Sequence, residues 1–400
     1  MTVSYALDWL NLLVRWVHLV AGISWIGASF YFVWLDNHLV PPADPQDRAD
    51  GVAGELWSVH GGGFYHNQKY PTGPKLQPLT HDLHWFKWEA YTTWLSGIAL
   101  LTIIYWIGAK TYLIDPRVMA LPVPAAIALS GGSLAVGWFV YDALCRALRA
   151  QPVALAVTVY VLLLAAAWGF FHLFNARAAF LEVGALMGTI MVANVRFVII
   201  PGQRRVIDAI RAGLLPDPQL GKNGKTRSLH NSYFTLPVIF TMISGHYPMT
   251  YGNADGWLVL VLISSAAVLV RHFFILSHRG RVVIGLPVGA AALLAIVAIM
   301  LVPRTGGATA NAAPVTFAQV QPIIAQRCAV CHAQRPTEPG FDSAPMGLML
   351  DTPERIGEAA SIIDQEAVQS TAMPLGNVTK ITPQERALLG RWIAAGAKLQ

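Results

Sequence analysis

Eight blocks of apolar residues, each near the length a helix needs to cross a bilayer, dominate this 400-residue chain. They fall at roughly 9–35, 90–108, 119–141, 153–174, 178–200, 232–249, 257–276 and 283–302. A hydrocarbon core takes about 20 residues of helix. A helix satisfies its own backbone there, and an open strand edge does not. Only 12% of residues are charged, against about 25% in an ordinary soluble domain. The expected fold class is therefore all-α: a polytopic bundle of about eight transmembrane helices over residues 1–303. The first block lacks a basic flank and is too long for a signal h-region, so it reads as a retained helix.

The formal net charge is +6. Residues 305–400 hold seven Lys/Arg against eight Asp/Glu, so the basic excess lies in the membrane part. There it reports orientation, and no nucleic-acid partner is implied. Arg48, Lys69, Lys75, Arg146, Arg149, Arg204, Arg205, Arg211, Lys222, Lys225, Arg227, Arg279 and Arg281 fall in alternate loops. Lys110, Arg117 and Arg177 fall on the other side. The first set is expected to be cytoplasmic, which puts both termini outside. The expected setting is a bacterial inner membrane, with the lipid bilayer as one partner.

Residues 304–314 have the small-residue composition of a linker. Beyond them, residues 315–400 read as a small separate domain. Cys328-Ala-Val-Cys331-His332 is a C-x-x-C-H motif, the attachment pattern of a covalent haem c with the His as axial iron ligand. Met373, in the Met-Pro step about 40 residues on, is the expected second ligand; Met346 and Met349 compete for that role. Phe317, Val320, Ile323 and Ile324 stand at helical spacing before the motif. Thr382, Pro383 and Glu385 predict a capped closing helix with Leu388, Leu389, Trp392 and Ile393 on its apolar face. This looks like a class I cytochrome c domain. A zinc site would need two further ligands, and the third cysteine, Cys145, lies in the membrane part.

Ionisable residues inside spans are functional candidates. Arg15, His18, Gly22, Trp25 and Ser29 share one face of the first span. His18 is a candidate haem b ligand; the alternative is a close helix seam with a hydrogen-bonded histidine. His172, Glu182 and His246 are its candidate partners. A second group gathers at the cytoplasmic ends: Asn194, Arg196, His230, Asn231, Arg271, His272, Lys87 and Glu89. The loop from about 36 to 88 adds His60-Gly61-Gly62-Gly63-Phe64, His66, His81, His84 and Trp85. Consecutive glycines beside a His and an aromatic let backbone approach a ligand, or simply make a turn. A metal held by the four loop histidines is a lesser alternative.

These blocks together resemble the bacterial membrane-bound, cytochrome c-linked urate oxidase (urate hydroxylase) family. The resemblance is carried by Arg15-Trp16-Val17-His18, Trp25-Ile26-Gly27, His60 to Tyr65, Trp85 to Trp94, Gly188-Thr189-Ile190-Met191, Asn194 and Pro201. Asn231 to Pro237, Gly245-His246-Tyr247-Pro248, and Met373 to Asn377 with Trp392 complete it. The start of the first span is also similar, over a short stretch, to membrane protoporphyrinogen oxidases, in which a first-helix His binds haem b. The urate oxidase resemblance implies oxidation of urate to 5-hydroxyisourate. Electrons would pass to haem c and then to an extracytoplasmic cytochrome c or terminal oxidase, with no hydrogen peroxide released.

Urate is a flat anion, so a site for it wants cationic, amide and stacking side chains. Arg196, Asn194, Asn231, Arg271, Phe64 and Trp85 are the expected substrate contacts. His60, Glu89 and Lys87 are the expected catalytic groups, with His60 or Glu89 as base. The rival reading is a membrane cytochrome c subunit that carries electrons for a respiratory oxidase, or a dehydrogenase for another substrate.

Overall fold

The computed structural model describes residues 3–71, 83–302 and 315–399. The linker at 304–314 and His81 lie outside them. The chain enters through α1 (Val3–His38), a short α2 (Pro45–Ala49) and an antiparallel hairpin of β1 (Gly54–His60) and β2 (Gly63–Lys69). The membrane part continues with α3 (Trp88–Leu100), a π-helical turn (Leu101–Trp106), α4 (Ala109–Tyr112), α5 (Val123–Ala147), α6 (Pro152–Phe171) and α7 (Ala176–Ala193). A second π turn (Asn194–Ile199) runs into α8 (Ile200–Arg211), then α9 (Pro218–Ile243), α10 (Pro248–Tyr251), α11 (Gly256–Ser277) and α12 (Gly285–Met300). The C-terminal part holds α13 (Phe317–Arg327), α14 (Pro353–Glu358), α15 (Ala360–Ile363) and α16 (Pro383–Ala394).

The molecule is mostly helical, and five of its helices are long and apolar enough to cross a membrane: Tyr5–His38, Val123–Ala147, Pro152–Phe171, Ala176–Arg211 and Gly256–Ser277. Three other apolar blocks also form helix, as α3 with its π turn, the second half of α9, and the shorter α12. The all-α expectation needs one correction, because the long first loop folds into a two-stranded hairpin. Leu56, Ser58 and His60 alternate with Trp57 and Val59 on β1, and Gly61 and Gly62 take the positive φ of the turn. A second correction concerns helix ends. α9 begins at Pro218, well before its apolar half, capped by the Asp217 side chain on the Gln219 N–H. Lys222, Lys225 and Arg227 are therefore helical, and Arg227 is buried. Pro201 has no N–H to give to the turn before it, which accounts for the widened turn at Asn194–Ile199 between α7 and α8.

α7 is the central helix, in contact with α3, α5, α6, α9, α10 and α11. Glycines permit this. A Cβ on Gly137 of α5 would sit 2.2 Å from Leu186 Cδ1, and one on Gly184 would sit 2.1 Å from Thr241 Oγ1 of α9. The C-terminal part has its own core of Phe317, Val320, Ile324, Leu389 and Trp392, with α13 and α16 crossing at Phe317–Trp392. Gly184→Ala is expected to force α7 and α9 apart and cost about 1–3 kcal/mol, read as a lower midpoint of thermal unfolding in detergent.

Candidate functional site

The bundle has two ends. At the hairpin end, α1 finishes beside α11: the His38 and His278 rings lie 5.1 Å apart, and Arg279 Nε donates to Asn37 Oδ1 (3.2 Å). At the opposite end, α4 and α10 meet the C-terminal part. Polar side chains gather in two layers between them.

The layer nearer the hairpin end is a closed network. Asn194 Nδ2 donates to Asn231 Oδ1 (2.8 Å) and to the Tyr141 hydroxyl (3.2 Å), and Asn231 Nδ2 donates to the Met191 carbonyl (3.0 Å). Arg227 bridges Asn194 and Asp142, which also takes Arg146. Tyr141 OH is 2.8 Å from His230 Nδ1. Beside it, buried Arg271 donates twice to Ser232 Oγ and covers the Phe30 ring at 4.4 Å. The structure thus brings together Asn194, Asn231 and His230, with Arg271 of α11 bonded to Ser232, the residue after Asn231 on α9. Tyr141, Asp142 and Arg227 were not expected here. Tyr141 and Asp142 fall inside an otherwise apolar block, and Arg227 read as a loop charge.

The other expected contacts stand apart from this network. Arg196 is exposed, with its guanidinium 5.8 Å from the Phe197 ring. Trp85 stacks under Arg204, and Lys87 lies over Trp88. Glu89 borders an open groove of about 400 Å³ between α1 and α3, whose walls include Trp16, Trp88 and Thr92. His60 and Phe64 are exposed at the hairpin tip, Phe64 by 76%, and no hydrogen bond or ring contact among the described residues joins them to the network. His66 is held by Glu55 (2.7 Å) and stacked on Trp57. The Ala43 N–H first, and His66 second, hold the Glu55 carboxyl below its usual range. Among the described residues no three His, Cys, Asp or Glu gather as a metal site would need.

The second layer lies toward the docking end. His18 Nδ1 is 2.9 Å from the Thr93 carbonyl and 3.1 Å from Ser96 Oγ. A carbonyl only accepts, so Nδ1 carries the proton and Nε2 is left free. Gly97 makes the close seam: a Cβ there would meet His18 Cε1 at 3.1 Å. Gly22 is 3.9 Å from Thr93 Cγ2 by the same measure, so it also faces a helix. Deeper in, Glu182 is 0% exposed. Ser130 donates to its Oε1, Trp106 Nε1 donates to Ser130 (2.9 Å), and its Oε2 has no partner.

In the C-terminal part, the turn after α13 holds Cys328, Cys331 and His332, closed by Cys331 N–H and His332 N–H to the Cys328 carbonyl. His332 Nδ1 points at the Leu348 carbonyl (3.1 Å), which again leaves Nε2 free. Burial pushes the Cys328 thiol up to about 12 and Cys331 to about 11. Met373 is half-buried, its N–H bonded to Glu366 O and its carbonyl to Arg386 Nη1. Met346 is fully exposed. Two free thiols three apart, an oriented imidazole beside them and a half-buried thioether form a donor set suited to haem c.

The family description "Urate oxidase N-terminal" matches residues 4–302, the whole membrane part. The chain belongs to that family. Membership makes it a urate oxidase relative, an oxidoreductase of purine metabolism for which urate is a consistent substrate. Comparison with curated proteins and with solved structures gives no match.

The network at the hairpin end reads as scaffold, because its members satisfy one another. Asp142→Asn should therefore destabilise the protein by about 3–5 kcal/mol, as expected when one partner of a buried ion pair is lost. Arg227→Met in the same chain should restore much of that, as a double-mutant cycle on thermal unfolding would show.

Proposed function

We propose that this urate oxidase relative hydroxylates urate to 5-hydroxyisourate within a bundle of eight transmembrane helices. Electrons pass to a haem c on its C-terminal domain and on to an extracytoplasmic cytochrome c or terminal oxidase. The observation that carries this reading is the family match over the entire bundle, in a chain whose C-terminal part adds a C-x-x-C-H turn. The overall change balances as urate monoanion plus water giving 5-hydroxyisourate, one proton and two electrons. With an acceptor other than dioxygen, no hydrogen peroxide forms.

A haem bound at this turn supplies a one-electron acceptor. The Cys328 and Cys331 thiols would anchor it covalently. His332, whose Nδ1 is tied to Leu348 O, and Met373 would be the residues that hold its iron. His18 is suited to a haem b by the same logic of a tied Nδ1 and a free Nε2.

For the base, this reading keeps Glu89, which borders a groove, over His60, which stands in solvent. Arg271, Asn194 and Asn231 bond to protein partners and act as scaffold, and Phe64 stands at the hairpin tip, so the substrate contacts this reading keeps are those beside Glu89 in the chain, Lys87 and Trp85. The charge bias of the basic loops supports the hairpin end being cytoplasmic and the C-terminal domain outside.

Membranes carrying the full chain should consume urate without producing peroxide, while the absorbance band of the haem shifts to its reduced form. Cys328→Ala with Cys331→Ala should remove covalently bound haem from denaturing gels and stop urate consumption. Urate loss that continues with peroxide release would overturn the assignment. A haem reduced by a different respiratory donor, and never by urate, would favour the electron-transfer subunit.

A further inference from the structure

The C-terminal part does not stand off from the bundle. Its segment from Asp364 to Asn377, which includes Met373, lies on the ends of α4 and α10. Thr371 N–H donates to Gly252 O (3.4 Å). A Cβ on Gly252 would come within 2.7 Å of Ser370 Cβ. Gly376, at φ +55, rests on backbone: a Cβ there would be 3.1 Å from Ile114 O and 3.3 Å from Thr111 O. Ala372 is buried in the core of the membrane part, among residues such as Leu113, Ile114 and Tyr251. Glu366 faces Arg177 across the seam. Contacts this close, made by glycines on both sides, specify one pose.

That pose seats the Met373 segment on α4, the helix that carries Tyr112. Tyr112 of α4 lies within electrostatic reach of Cys331 and of Asp8. Its ring rests on Gly108, where a Cβ would meet Tyr112 Cδ2 at 2.8 Å. The ring of Tyr105, which is buried, is 6.3 Å from that of Tyr112, edge to face. The Tyr105 hydroxyl is in turn within reach of Arg15 and Glu182, members of the polar layer that holds His18. Counting along α3 at 1.5 Å per residue, Glu89 lies about 12 Å from the level of Gly97 and His18, and Tyr105 lies about 12 Å further on.

We infer that Tyr105 and Tyr112 form the aromatic bridge through which electrons leave the bundle, and that the Met373 segment is the dock that seats the C-terminal domain on α4 beside Tyr112. The inference rests on the function proposed above. Each urate sends two electrons across singly, and a one-electron carrier protein outside removes each in turn. The tyrosines are a tunnelling medium and are not themselves oxidised, so the ring is needed and the hydroxyl is not.

Full-length protein in membranes tests this by following reduction of the haem band in stopped flow, with urate or with ascorbate as donor. Tyr112→Leu should slow urate-driven reduction by about tenfold or more, with haem content and ascorbate-driven reduction unchanged. Tyr112→Phe should keep the wild-type rate, and Gly376→Val should behave like Tyr112→Leu. In an Ala372→Cys protein the new thiol, buried in the seam, should resist maleimide in resting membranes, and adding Gly376→Val should expose it to labelling, seen as a gel-mobility shift.

Equal urate-driven rates for Tyr112→Leu and wild type would overturn the bridge, and rapid labelling of the Ala372→Cys thiol in otherwise wild-type protein would overturn the dock. A wild-type haem that urate never reduces would instead refute the functional reading, leaving the labelling to judge the dock.

Discussion

Everything in the membrane part is arranged around α7, and α7 can occupy the centre only because its neighbours come close enough to exclude all but backbone and small side chains. Gly137 admits Leu186, and Gly184 admits Thr241. In lipid, helices gain nothing from hiding apolar surface from water, so close contact and hydrogen bonds between helices must hold the bundle. The polar groups that α7 carries inward are consequently partnered across helices: Asn194 to α9, Thr189 to Trp94 of α3, and Glu182 to Ser130 of α5. Glu182 Oε2 is an exception that keeps a polar atom unpaired in the interior.

The two polar layers differ in what they can do. Near the hairpin, Asp142, Arg227, Asn194, Asn231 and Tyr141 spend their donors and acceptors on one another, which fixes α5, α7 and α9 rigidly and leaves little for a ligand. Nearer the docking end, His18 has a free ring nitrogen and Glu182 a free oxygen. Groups of this kind belong where charge or protons move. The electron path proposed above begins in this second layer and leaves by the seam, so the docked domain completes the redox path as well as covering the end of the bundle.

Much of the architecture was legible from hydropathy alone, because a helix in lipid advertises itself by length. The helix extensions beyond the apolar blocks were not: α8 and the first half of α9 are polar and amphipathic, and a hydropathy window reads them as loop. The hairpin was missed for a related reason. Strands that are mostly exposed, such as Gly63–Lys69, show no apolar alternation of the kind that marks a half-buried strand. Of the candidate residues, Cys328, Cys331 and His332 share one turn, as their spacing along the chain requires. Asn194, Asn231 and Arg271 were found as a group by depth. His60 and Phe64 were grouped with them by sequence motif alone, and they stand at the hairpin tip, away from that network.

By itself, the sequence determined that the chain makes long apolar helices, which way its charges bias them, and that two thiols and an imidazole stand on one turn. These are properties of composition, periodicity and near neighbours, and they survive without knowing the packing. Only the tertiary structure decided that Arg227 is an interior ion-pair partner, that His18 points a free nitrogen from a glycine seam, and that the Met373 segment seats itself on α4 and α10. Each of those depends on residues tens to hundreds of positions apart meeting at contact distance. No local pattern encodes such meetings; steric fit between whole helices selects them.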